Sequence, residues 1–306
     1  MSDLDQAVVD YLAARRALGF TLTRHGRLLP ELVGYLQQAG AATLSTRLAL
    51  AWATSLEGHP DEWAIRLSIA RGFARYLQAL DPATEIPPVH LLPRRRHRAS
   101  PYLYAEADIA ALMAATATLR FPFRAATYHT LIGLLATTGM RVGETIALDR
   151  DDLDWAAGCL LVRKGKPGAP RELPLHQSTL RALAAYARLR DWHWPCPKAP
   201  AFFLSMAGTR LFYENVNWTF RRLVRQAGLA ARGSRRPRIH DLRHRFAVVT
   251  VADWYAAGVD VAAGMPALSA YLGHADPGGT YWYLTATPEL LALAARRLES
   301  GGRWRP

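Results

Sequence analysis

The chain has 306 residues, half of them apolar, and 38 Lys and Arg against 25 Asp and Glu give a formal net charge of +13 and a pI near 10.2. This length suggests about two domains, and the cationic excess favours a polyanionic partner, most commonly nucleic acid, over a surface made basic for solubility alone. No apolar run approaches the roughly 20 residues that cross a bilayer, and the acidic start Met1-Ser2-Asp3-Leu4-Asp5 is not signal-like, so a cytoplasmic protein with no membrane association is expected.

Residues 5 to 80 read as helices separated by short polar turns. Leu29, Leu32, Val33 and Leu36 fall at i, i+3, i+4 and i+7, one helical face, with Gly40 as the stop. Ile69, Phe73, Tyr76, Leu77 and Leu80 repeat the pattern, and Arg66, Arg71 and Arg75 are expected to lie off that apolar stripe. These three arginines are candidate contacts to a DNA backbone, against the ordinary reading of charges on a solvated face.

From Ile86 to Pro101 the pattern breaks, with Pro87-Pro88, Pro93 and the run Arg94-Arg95-Arg96-His97-Arg98. Prolines prevent a continuous helix and a cationic run has little reason to pack. The expected organisation is a helical domain over residues 1–86, a basic linker over 87–101 and a second domain over 102–306 that ends in a helix and tail at 288–306. Arg94, Arg95, Arg96 and Arg98 could track a phosphate backbone or form a flexible basic spacer.

The second half mixes helices with short strands, giving a mainly α fold with a small antiparallel β-sheet. Leu131, Leu134 and Leu135 mark a buried helix that should stop at Gly139. Strands are expected at Leu153 to Trp155, Cys159 to Arg163 and Arg171 to Leu175, with Gly158 in the first turn and Lys-Gly-Lys-Pro-Gly in the second. Cys159 should be a small buried strand residue. It and Cys196 lack metal-ligand spacing, and no disulfide between them is expected in a reducing compartment. Helices resume near Thr179 and near Glu214, the latter bearing Arg221, Arg222 and Arg225. Beyond Thr287, a good N-cap, a last helix carries Leu291, Ala294 and Leu298. Such a helix could dock on its own domain or reach a neighbouring subunit.

Five segments carry candidate chemistry. In Thr137-Thr138-Gly139-Met140-Arg141-Val142-Gly143-Glu144, Arg141 follows a helix end, where a planar guanidinium could grip two phosphate oxygens or pair with Glu144. In Val162-Arg163-Lys164-Gly165-Lys166, a hairpin lysine is usually solvated but can swing in to protonate a leaving alkoxide. A helix beginning at His240 would put His240 and Arg243 on one face, turn Leu242, Phe246 and Val249 to the core, and offer an anion its free amides and positive dipole end. His244 and Arg245 read as surface or supporting groups.

His274 and the pair Tyr281 and Tyr283 complete the set. Forming a phenolate at pH 7 costs about 4 kcal/mol from an ordinary pKa near 10, which nearby cations and a proton acceptor can offset. Two positions apart on a helix, the tyrosines point in different directions. Only one should face a phosphate.

The order Arg141, Lys164, His240, Arg243, His274 and Tyr283 resembles the tyrosine recombinase and integrase family. Its pattern is an arginine after a Thr-Gly turn, a hairpin lysine, His-x-Leu-Arg-His, Leu-Gly-His, and a tyrosine nine residues beyond the last histidine, which selects Tyr283 over Tyr281. The resemblance covers residues 101–290 by motif and residues 5–90 by helical character. It implies a helical core-binding domain joined to a mixed α/β catalytic domain, with no room for an extra arm-binding module.

The resemblance further implies that Arg141, Arg243 and His274 hold the nonbridging oxygens, and that Tyr283 attacks to give a 3'-phosphotyrosyl link. Lys164 would protonate the 5'-oxygen, with Lys166 as its competitor, while His240 takes the tyrosine proton and Glu144 supports the site. It implies neither ATP nor a metal, hence no cofactor. The implied partners are double-stranded DNA with an inverted-repeat core site and three further copies of the chain in a tetramer that exchanges C-terminal tails. Two other readings compete: a type IB-like topoisomerase, and a DNA-binding architectural protein without cleavage, for which the tyrosine and lysine would be superfluous.

Overall fold

A computed structural model of the chain describes residues 3–55, 60–92, 101–163, 170–229, 231 and 236–274. The chain divides into two compact units, Met1–Arg98 and Ala99–Pro306.

The first unit packs four helices, α1 (Asp3–Ala17), α2 (Thr23–Gln38), α3 (Thr46–Thr54) and α4 (Pro60–Gln78). The stripe expected on α2 is fully buried at Leu29, Leu32, Val33 and Leu36, and it meets Trp52 of α3 and Phe73 of α4 in one core. Gly40 sits beyond the α2 end at φ 63°, a left-handed turn that costs glycine little. Ser45 caps α3 by accepting from the Leu48 amide at 3.3 Å, and Glu85 accepts from the Thr46 amide at 2.8 Å. Leu80, expected on the α4 stripe, lies past the helix end and is 64% exposed.

Arg66 is not off the stripe. It is 3% exposed, with its guanidinium 4.1 Å over the Trp52 ring and bonded to the Trp52 carbonyl at 3.2 Å. A flat, weakly hydrated cation stacks well on an indole, and Glu31 supplies the countercharge at 3.4 Å. Arg71 donates from Nε to the Pro87 carbonyl and from Nη2 to the Pro88 carbonyl, each at 2.7 Å, pinning the segment that leaves α4. Of the three arginines only Arg75 is exposed.

The second unit is built around α6 (Pro122–Thr138), whose Leu131, Ile132, Leu134 and Leu135 are buried. Against it lie α5 (Glu106–Ala115), α8 (Gln177–His193) and α10 (Asp241–Ala256), while α7 (Val142–Ala147), α9 (Tyr213–Gln226) and α11 (Val261–Leu272) complete the described helices. A three-stranded antiparallel sheet, β1 (Leu153–Asp154), β2 (Cys159–Val162) and β3 (Arg171–Pro174), pairs Leu160 with both Leu153 and Leu173, and Val162 with Arg171. Each strand is one residue shorter than expected, and beyond β1 Trp155 has turned to solvent. Cys159 is half-buried rather than buried, and both cysteines are free. On α10, Val248 packs inward while Val249 is 37% exposed; Ala247 and Val251 complete the face.

Among the described residues no helix is long and apolar enough to cross a membrane.

Two glycine turns set the geometry of this unit. Gly139 ends α6 at φ 62° and Gly273 ends α11 at φ 68°. A Cβ on Gly139 would stand 2.6 Å from Cδ1 of Phe246, so both conformation and space exclude a side chain. Gly139→Ala should therefore lower the unfolding free energy by roughly 2–4 kcal/mol, the sum of a left-handed backbone cost and overpacking. Urea denaturation monitored by tryptophan fluorescence checks this, and an unchanged midpoint would contradict it.

Candidate active site

The site is assembled where the ends of α6 and α11 meet the start of α10. Arg243, 2% exposed, donates from Nη1 to the Gly139 carbonyl at 2.8 Å and from Nη2 to the Leu272 carbonyl at 2.7 Å. Carbonyls at helix C-termini carry partial negative charge and lack intrahelical partners, so one planar cation satisfies two helix ends at once.

The residues that follow those ends are thereby brought together. Arg141, two residues past Gly139, is the N-cap of α7 and reaches across to the Gly273 carbonyl, Nη2 to O at 2.7 Å. His274 follows Gly273 directly and its amide closes the turn onto the Ser269 carbonyl at 3.0 Å. Arg141 and His274 are far apart in sequence yet share one turn. The Arg141 side chain keeps 26% of its surface exposed.

Glu144 is bonded to Arg141. Its carboxylate accepts from the Arg141 amide at 3.1 Å and from Arg141 Nη1 at 2.7 Å, and on its other side from Arg171 Nη2 at 2.8 Å and Nη1 at 3.3 Å. Burial alone would raise its pKa. The bonds from Arg171 and from both backbone and side chain of Arg141 outweigh burial and hold the carboxyl below its ordinary value. Arg141 is thus paired with Glu144 while its side chain stays partly exposed.

His240 caps the start of α10, its ring edge-on to His244 at 5.0 Å between centroids. It reaches solvent, but crowding by neighbouring atoms and, next, the charge of Arg243 push its pKa below the ordinary histidine value. Neutral imidazole is therefore its resting form at pH 7. The expected free amides at this helix start are not found. Asp241, Leu242 and Arg243 donate their amides to the carbonyls of Arg238, Ile239 and His240, because a tight turn precedes the helix. The fully buried Asp241 carboxylate takes Arg238, at 2.8 Å and 3.1 Å from its side chain and 3.1 Å from its amide.

The structure thus gathers Arg141, Glu144, His240, Arg243 and His274 on one side of the second unit. Lys164, Lys166, Tyr281, Tyr283, the arginine run at 94, 95, 96 and 98, and the tail at 288–306 lie outside the described residues. At the base of the hairpin that bears Lys164, Arg163 is tied to buried Asp152 by an ion pair.

Sequence reasoning passed over Arg171, reading it only as the start of a strand. The signal was available: Arg171 alternates with Leu173 on one strand face, and Leu173 is fully buried. A cation on a buried face requires a partner.

Because Glu144 is held by two guanidinia, Glu144→Gln should destabilise the second unit by roughly 3 kcal/mol at pH 7, the order expected when one member of a buried charge cluster is removed. Its folded pKa is lowered, so this stabilisation is full above the ordinary carboxylate pKa and is lost as pH falls through the folded value. The gap between wild type and variant in urea midpoint should narrow on acidification, and a gap independent of pH would count against the assignment.

The phage integrase family profile matches residues 103–289. A Sinorhizobium fredii protein bearing the name integrase/recombinase y4rB is 43% identical over 99% of each chain, and the tyrosine recombinase XerC of Azotobacter vinelandii is 30% identical over 92% of this chain and 90% of its own. The XerH site-specific recombinase bound to palindromic difH substrate superposes with a TM-score of 0.67 at 18% identity, covering 90% of this chain and 79% of that one. The Tn1549 transposon integrase in complex with transposon right end DNA gives 0.67 at 16% identity over 98% of this chain and all of that one. These two likenesses concern the fold, a helical protein with a small antiparallel sheet, while the family profile and the closer relatives carry the assignment. The chain belongs to the phage integrase family, the tyrosine recombinases, and is an enzyme that breaks and rejoins DNA strands.

Proposed function

We propose that the protein is a site-specific recombinase acting on mobile DNA in the cytoplasm, cutting and rejoining through a 3'-phosphotyrosyl intermediate. The observation that carries this reading is the meeting of Arg141 and Arg243 at the Gly139 and Gly273 turns, with His240 and His274 beside them. Two rigidly held guanidinia around one point suit a phosphodiester, whose nonbridging oxygens gain charge as phosphorus becomes five-coordinate.

In this mechanism Arg141, Arg243 and His274 neutralise the nonbridging oxygens. The Tyr283 oxygen attacks phosphorus, its proton passes to neutral His240, and the bond to the 5'-oxygen breaks as Lys164 gives that oxygen a proton. One P–O bond is exchanged for another, so the energy of the diester is kept for rejoining. Lys166 is the alternative donor. DNA is held by the helical unit and the basic linker, through Arg71, Arg75, Arg94, Arg95, Arg96 and Arg98. Arg66 is withdrawn from that set by its burial against Trp52. The DNA partner is an inverted-repeat core site on which four copies assemble and exchange residues 288–306.

A nicked duplex that traps the covalent product tests the chemistry. Wild type and Tyr281→Phe should form a protein-DNA adduct without added metal, and Tyr283→Phe should form none; an adduct lost in Tyr281→Phe instead would move the nucleophile. Lys164→Ala should slow adduct formation by roughly 10²- to 10⁴-fold, the usual worth of a proton donor to a leaving oxygen.

The lowered pKa of His240 makes a separate prediction. A base must be unprotonated to accept, so the cleavage rate should stay level as pH falls through the ordinary histidine value near 6.5 and decline only below it. Single-turnover rates across pH 5 to 8, with His240→Asn lacking that acid limb, check this. A decline centred on the ordinary value would contradict it.

A further inference from the structure

Arg171, which holds Glu144 from β3, has no part in the cleavage scheme above. It sits on the first residue of β3, opposite Val162, at the base of the hairpin whose loop holds Lys164. All three guanidinium nitrogens are engaged: Nη1 and Nη2 grip the Glu144 carboxylate at 3.3 Å and 2.8 Å, and Nε donates to the Tyr271 carbonyl at 2.8 Å. Gly273 packs directly on the guanidinium, so closely that a Cβ there would stand 2.6 Å from Nη1. One side chain thus touches the strand of the hairpin, the acid that supports Arg141, and the turn that carries His274.

We propose that Arg171 is a positioning residue for strand cleavage, holding Glu144 against Arg141 and fixing the end of α11 so that Arg141 and His274 keep the spacing one phosphate demands. This rests on the cleavage reading given above. Arg171 touches no reacting atom in that scheme and acts through Glu144 and the Tyr271 carbonyl. Only a planar fork serves three acceptors at once. A lysine, with a single nitrogen, can hold one of them closely.

The effect should fall on the chemical step rather than on binding, because a small misplacement of catalytic groups costs rate while leaving phosphate contacts elsewhere intact. On the nicked duplex that traps adduct, Arg171→Gln should cleave roughly 10²-fold more slowly when saturated with DNA, with DNA affinity within about threefold of wild type. The pH profile should change as well. Without Arg171, burial of Glu144 has less opposition and its carboxyl titrates higher, so the variant should lose rate on acidification where wild type is level. Arg171→Lys keeps a cation beside Glu144 and should restore the level profile with only part of the rate. In a Glu144→Gln background, Arg171→Gln should cost less rate than it does in wild type, since the two act in part as one unit.

Equal rates and profiles for Arg171→Gln and wild type would overturn the proposal. So would a loss confined to affinity or folding, or full additivity with Glu144→Gln. If Arg171→Gln does not fold, Arg171→Lys decides: a folded lysine variant that cleaves bound DNA as fast as wild type overturns the proposal. A wild-type chain that binds the duplex and forms no adduct overturns the cleavage reading instead, and this proposal with it.

Discussion

The guanidinium of Arg243 bonded to two helix ends is the interaction on which the rest of the site depends. A buried arginine is costly to desolvate, and here part of that cost is offset by placing it on carbonyls that would otherwise be left without partners at the ends of α6 and α11. The consequence is geometric. Each helix ends in a left-handed glycine, each glycine is followed within two residues by a side chain of the candidate site, and joining the ends brings Arg141 and His274 to one place. The same residue that is assigned to grip a phosphate is also the fastener of the scaffold.

A second layer of charge keeps this grip from collapsing. Arg141, Arg171 and Arg243 stand close together, and like charges so near one another would repel. Glu144, buried between Arg141 and Arg171, offsets two of them. The Arg141 side chain nonetheless stays partly exposed. The carboxylate thus sets both the charge and the direction of the fork.

Much of the fold was legible where local rules and tertiary packing agree. The α2 stripe, the stops at Gly40 and Gly139 and the three-stranded sheet follow from periodicity and from the φ that glycine tolerates. Reasoning from one helix face failed where packing came from elsewhere: Arg66 is drawn inward by Trp52, and Val248 rather than Val249 meets α11. The anion-binding helix start failed for a local reason, a tight turn that uses the amides before any ligand could. At the site, the spacing of motifs named Arg141, Glu144, His240, Arg243 and His274, which do come together. It did not name Arg171: alternation with Leu173 marks a cation on a buried face, but which acid 27 positions away it meets is set by the tertiary fold.

The Arg243 clasp also bears on how the chain is made. Its bonds span 104 residues in one direction and 29 in the other, and the bond from Arg141 to the Gly273 carbonyl spans 132. Contacts so distant in sequence form only after the intervening chain exists and has folded. During synthesis, a ribosome-bound fragment ending before residue 272 can bury the core around α6 but cannot close the clasp or bring Arg141 to the α11 end. An enzyme that breaks DNA strands therefore carries a built-in delay: the arrangement proposed to grip a phosphate forms only once the end of α11 has been made, and shorter chains lack it.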